Sequence, residues 1–284
     1  MTHPDGAAAR PDATPADTTA DTTAAPPEEA AAATPPGSAP DARREELQAS
    51  LEQVRQRIAD ACGAAGRSPE EVTLVAVTKF FPASDVELLA GLGVRDVGES
   101  REQEALPKVA ELEAGVRERL AVHFVGQLQT NKANRVARFA DVVQSVDRSR
   151  LVTALDRGVA LALEGELRHT PLDITLQVDL GEGEDRGRGG ALPEDLAGLA
   201  EEAAGAEHLR LRGLMAVAPN GLDDDGVRAA FDRLAELSAA LRDDHPEAGW
   251  LSMGMSADLE IAIASGATHL RVGTAILGSR PSHR

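Results

Sequence analysis

The stretch Val72–Pro82, VTLVAVTKFFP, joins seven residues suited to a buried strand to a lysine, two phenylalanines and a proline. The run is too apolar for an exposed sheet edge, so it predicts a strand covered on both faces. Working outward, similar short runs recur at Val94–Val97, Ala121–Val125, Asp141–Val146, Asp173–Val178, Arg210–Val217, Gly249–Ser252 and His269–Val272. Amphipathic stretches such as Ala83–Leu92, Asn131–Phe139, Leu151–Leu163 and Gly226–Leu241 lie between them. Strands alternating with helices predict βα units around a parallel sheet. Eight such units predict an α/β chain folded as a single (β/α)8 TIM barrel. A doubly wound open sheet is the alternative, because periodicity alone does not reveal closure.

Residues 1–40 hold 13 alanines and 8 prolines and no Leu, Ile, Val or Phe. Such a segment has almost nothing apolar to offset the entropy of ordering, so a disordered N-terminal tail is expected there. The barrel domain is expected over 41–284. It opens with an extra N-terminal helix on which Leu47, Leu51, Val54 and Ile58 recur at helical spacing, stopped by Gly63 and Gly66.

With 47 acidic against 29 basic residues the formal charge is -18, a field that repels nucleic acid and anionic membrane surfaces. No apolar run is long enough to span a bilayer, and the N-terminus has no basic and then apolar signal pattern. One cysteine, Cys62, excludes an internal disulfide, fits the reducing cytoplasm, and lies on the apolar face of the first helix. No His or Cys cluster has metal-ligand spacing, so no metal is expected. The acidic run 223–225 reads as favourable charge at a helix N-terminus.

A barrel demands that chemistry collect at the C-terminal ends of its strands. Residues 251–260, LSMGMSADLE, offer backbone N–H groups, two hydroxyls and a helix start, the makings of an anion cradle. Residues 271–275, RVGTA, add a second glycine and a threonine hydroxyl one strand later. Loops after strands seven and eight often form a phosphate site together, although either glycine could serve only a tight turn. Lys79 closes strand one, where Phe80 and Phe81 are expected to dehydrate it. Desolvation lowers a lysine pKa, and a neutral amine forms a Schiff base with an aldehyde. An aldehyde carrying a phosphate suits both features, and pyridoxal 5'-phosphate (PLP) is the candidate. Arg271 could be a phosphate counter-charge, a surface residue, or the partner of the pyridine nitrogen. His123 is expected to be a structural hydrogen-bonder, and Asn131 and Lys132 a helix start.

In order along the chain stand VAVTKFFP, GESREQEALPKV, HFVGQLQTNK, SVDR, GLMAV and LSMGMSADLEIAIASGATHLRVGTAILG. Together, from about Leu47 to Arg280, they closely resemble the pyridoxal phosphate homeostasis protein family, the YggS/PROSC type. The resemblance implies a barrel like the N-terminal domain of alanine racemases, binding PLP in intracellular homeostasis, as buffer or delivery, without established turnover. It maps the cofactor lysine to Lys79 and the pyridine-nitrogen arginine to Arg271. Phosphate contacts map to Ser252, Gly254 or Ser256, and to Gly273 and Thr274. Met215 and Met253 are placed near the cofactor or in the core. Expected partners are PLP and apo-PLP enzymes as recipients, with a monomer or weak dimer as the assembly. Ser100 departs from the family's asparagine, and the loop 181–190 is similar only loosely, with Arg186 the nearest counterpart of a family lysine.

The rival is a PLP-dependent amino-acid racemase or decarboxylase of the alanine-racemase type. Racemisation by two bases needs a second acid opposite the lysine, which in alanine racemases is a tyrosine of a separate domain. This chain has no tyrosine. A phosphosugar-type aldolase using Lys79 is the third reading. The expectation is therefore a carrier with no catalytic residues.

Overall fold

A computed structural model describes residues 39–181 and 189–279. The expected tail falls almost wholly outside the described residues, as does Arg186. In chain order the elements are α1 (Ala39–Ala64), β1 (Thr73–Val77), α2 (Ala83–Gly91), β2 (Asp96–Glu99), α3 (Glu102–Glu111), α4 (Ala114–Arg117), β3 (Ala121–Phe124), α5 (Ala133–Val136), β4 (Val142–Val146) and α6 (Ser149–Glu164). They continue as β5 (Leu172–Gln177), α7 (Leu196–Ala204), β6 (Leu209–Met215), α8 (Asp224–Asp244), β7 (Trp250–Ser252), α9 (Leu259–Ala264), β8 (His269–Val272) and α10 (Thr274–Leu277). Each strand pairs in parallel with the next, and β8 pairs with β1, so the sheet closes as a barrel. The open-sheet alternative is thereby excluded.

All eight expected strands form, and the largest displacement is at β2. It begins at Asp96 instead of Val94, because Val94 N–H closes back onto Leu89 C=O at 3.0 Å and still belongs to the end of α2. The helix expected over Asn131–Phe139 is split, with a 3-10 turn at Thr130–Lys132 before the four-residue α5. At α8 the acidic run acts as expected: Asp223 is the N-cap, and its carboxylate accepts from Gly226 N–H at 2.9 Å.

Helix α1 lays Leu47, Leu51, Val54, Ile58 and Cys62 against the barrel's outer layer, all of them buried. It packs beside α2, α9 and α10, covering the outside of the strands where the barrel closes. The main apolar cluster fills the space between strands and helices, with Val97, Phe124, Val143, Ile174, Leu214 and Leu270 among its members. Val75, Val77 and Val142 are buried but stand outside that cluster. They belong to the inward-facing set of positions, which a strand supplies at every second residue. That set also includes Gln144, Thr175, Ser252, His269 and Arg271, all buried.

Candidate cofactor site

Strands β7, β8 and β1 are neighbours, and their C-terminal ends bring together the three groups of residues singled out above. On β1, Val75 and Ala76 stand opposite Arg271 and Val272 of β8. Arg271 N–H donates to Gly254 C=O at 3.0 Å, which ties the strand carrying the arginine to the glycine loop after β7. Gly254 has φ 90°, and a Cβ there would lie 2.5 Å from Ala262 Cβ, so no other residue fits the turn without moving α9. Ser256 is half-buried and Thr274 exposed, both at the rim. Gly273 is half-buried and precedes Thr274 at the start of α10.

Lys79 lies two residues past the end of β1, after the buried Thr78, and is exposed. The expected cover by phenylalanine is absent, for a geometric reason. Phe80 takes φ 72°, a left-handed value that a bulky residue rarely adopts, and the chain turns there. The Phe80 ring lies under Arg101 at 5.4 Å, and the Phe81 ring under Arg43 at 5.7 Å. The phenylalanines thus pack on two arginines, and the Lys79 amine stands at the rim.

Beneath Lys79 lies a buried network that sequence reading missed. Lys108 Nζ donates to Thr78 C=O at 2.9 Å and to Glu99 Oε1 at 2.7 Å, while Thr78 Oγ1 donates to the same oxygen at 2.6 Å. Lys108 therefore holds the carbonyl of the peptide that leads into Lys79. A buried ion pair of this kind keeps its charges only because each is hydrogen-bonded.

Arg271 is 5% exposed and points inward. Its Nη1 donates to Ser252 Oγ at 2.7 Å and its Nη2 to Ala216 C=O at 2.8 Å. Among the described residues no carboxylate lies within ion-pair distance of it. Burial pushes its pKa down to about 10, opposed by Asp258, so it remains a cation at neutral pH. A chain of net charge -18 thus keeps a buried cation with no carboxylate partner among the described residues, next to the loop that carries Gly254.

The hydroxyl of Ser252, a candidate phosphate contact, is engaged with Arg271 and Gln144 inside the barrel. Met215 faces the interior, whereas Met253 belongs to the outer core. His123 is 1% exposed and bonded to Asp96 and Gln144, the structural part expected of it. Lys132 pairs with Glu102 at 2.9 Å. Ser100 lies so close over Gly126 that a Cβ on the glycine would sit 2.2 Å from the serine carbonyl oxygen. With Gln127 and Arg101, Ser100 lines a polar cleft beside the mouth. Among the described residues no group of three or more His, Cys, Asp or Glu side chains could hold a metal.

Fold and site together define a barrel of the alanine racemase N-terminal kind, and the family model for "Alanine racemase, N-terminal domain" matches residues 49–281. A pyridoxal phosphate homeostasis protein of Mycobacterium tuberculosis is 45% identical over 251 residues, which are 86% of this chain and 96% of that one. The chain belongs to the pyridoxal phosphate homeostasis protein family. PipY of Synechococcus elongatus, solved with PLP bound, matches with a TM-score of 0.68 at 33% identity, over 82% of this chain and 100% of that one. An alanine racemase from Corynebacterium glutamicum shares the fold, with a TM-score of 0.58 at 15% identity over 84% of this chain and 62% of that one.

Proposed function

We propose that this chain binds pyridoxal 5'-phosphate on Lys79 and works in intracellular homeostasis of that cofactor, buffering it or delivering it to apo-enzymes. The observation that carries the proposal is the convergence on β7, β8 and β1 of two anion loops, a buried unpaired arginine and an exposed lysine. PLP supplies an aldehyde, which a primary amine can hold as a Schiff base with loss of water. Gly254, Ser256, Gly273 and Thr274 hold the phosphate, and Arg271 faces the ring nitrogen. Ser252 serves the arginine. An amine at the rim can be reached both by incoming cofactor and by an acceptor, which suits a carrier better than a closed catalytic pocket does.

The same residues argue against turnover. A permanent guanidinium beside the ring nitrogen donates to its lone pair and keeps it unprotonated, which makes the ring a weak electron sink. No tyrosine exists to act as the opposite acid. Among the described residues no helix is long and apolar enough to cross a membrane. The buried Cys62 fits a reducing compartment, and we place the chain in the cytoplasm as a monomer or weak dimer.

The test is a PLP titration of the wild-type chain and of Lys79→Ala, followed by visible absorption, with a screen of amino acids for racemisation and decarboxylation. The proposal expects a saturable absorbance change with the wild type, none with the variant, and no turnover with either. Turnover that disappears in Lys79→Ala would make the protein an enzyme and overturn the carrier reading.

A further inference from the structure

A row of polar side chains crosses the inside of the barrel from Asp96 at the start of β2 to Arg271 at the end of β8. Arg271 Nη1 donates to Ser252 Oγ at 2.7 Å, and Ser252 Oγ donates to Gln144 Oε1 at 2.7 Å. Gln144 Nε2 meets His123 Nδ1 at 2.9 Å, and His123 Nε2 meets Asp96 Oδ1 at 3.0 Å. Gln144 is 0% exposed and Ser252 1%, so no solvent competes for the bonds that join Arg271, Ser252, Gln144 and His123, while the Asp96 end is half-buried. Thr175 Oγ1 donates to Gln144 C=O at 3.0 Å and pins the backbone of that residue.

The donor inventory fixes the direction of every link. A guanidinium only donates, so the Ser252 oxygen accepts from it and sends its own proton to Gln144 Oε1. The amide then turns its Nε2 to His123, whose Nδ1 must accept. The ring proton is thereby placed on Nε2, where the Asp96 carboxylate receives it. No member can rotate without leaving a buried polar group unmet, which makes the row stiff.

We propose that Gln144 is a positioning residue for Arg271: acting through Ser252, it holds the guanidinium in the orientation that presents a donor to the PLP ring nitrogen. This rests on the reading above that Arg271 faces that nitrogen. It assigns the Ser252 hydroxyl to the arginine and leaves the phosphate to the other loop residues.

The experiment compares two ligands on the full chain: PLP, and its carbocyclic counterpart with C–H in place of the ring nitrogen and the same aldehyde, phenol and phosphate. The wild type is expected to favour PLP by about ten- to a hundredfold, the scale of one hydrogen bond to a charged group. Arg271→Met should bring the ratio of affinities to about one. Gln144→Met and Ser252→Ala should do the same, and Ser252→Thr, which keeps a hydroxyl, should restore the preference. A merely structural role would weaken both ligands equally and leave the ratio intact. If Arg271→Met abolishes the preference but Gln144→Met and Ser252→Ala keep it, the positioning proposal is overturned and the ring-nitrogen reading stands. If the wild type shows no preference, or Arg271→Met retains it, that reading falls and takes the proposal with it. Should Gln144→Met fail to fold, Ser252→Ala, which removes one atom, decides the matter.

Discussion

Two lysines near the end of β1 show how differently one side chain can be used. Lys79 is exposed and contributes little to the fold, whereas Lys108 is 8% exposed and neutralises Glu99. Replacing Lys79 with alanine should change unfolding free energy by no more than about 0.5 kcal/mol, the usual range for surface positions. Lys108→Met leaves a buried carboxylate without its cation, and urea denaturation should show a loss of about 3–5 kcal/mol. His269 supplies a pH test. Burial first and the neighbouring His123 second push its pKa from 6.5 to about 3, so the native protein keeps it neutral. The unfolded chain binds that proton below pH 6.5, so the stability it contributes is present above pH 6.5 and is lost as pH falls toward 3. Between pH 6.5 and 5 the loss from this group should reach at most about 1.4 kcal/mol per pH unit, and His269→Gln should flatten the slope by that amount. The placement of Lys79, Gly254 and Arg271 at the C-terminal ends of strands was legible because each stands in a motif at a strand end. Gln144 and His269 were not, because one polar residue inside an apolar run, such as Gln144 in VVQSV, does not reveal which face of the strand it occupies.

The eight strands were legible at the scale of elements because each is a short apolar run bounded by helical periodicity. The start of β2 was not, since Val94 is as apolar as Val97 and only its bond to Leu89 assigns it to the preceding turn. The division of the helix expected over Asn131–Phe139 into a 3-10 turn and α5 was equally hidden, because the buried residues Ala133 and Val136 lie in α5 and the 3-10 turn buries none, so the apolar pattern carries no mark of the break. The extra helix α1 was legible from its apolar stripe, and the stripe is testable. Leu51→Ala should cost about 2–5 kcal/mol in denaturant, the range for a fully buried leucine. The loop after β3 offers a second test. Gly126→Ala would force a methyl into the Ser100 carbonyl, so it should lower PLP affinity by displacing the β2 loop, and a titration beside the wild type checks this.

For the whole molecule, barrel closure turns a list of separated motifs into one site. Strand one is far in the chain from strands seven and eight, yet closure pairs it with strand eight, so the lysine of VTLVAVTK comes to the same end of the barrel as the loops of LSMGMS and RVGT. The sequence carried that arrangement only through the count of eight strands, and it could not show that a hydrogen-bonded row of polar side chains would cross the barrel's interior. The negative field of the whole chain repels an anionic cofactor, so the proposed site depends on local groups such as the buried cation Arg271. The central claim is that Lys79 is the residue that holds PLP. Borohydride reduction of the PLP-loaded chain, followed by peptide mass mapping, tests it most directly. The account predicts a phosphopyridoxyl group on the peptide containing Lys79, and its absence there, or its presence on another lysine instead, would contradict the account.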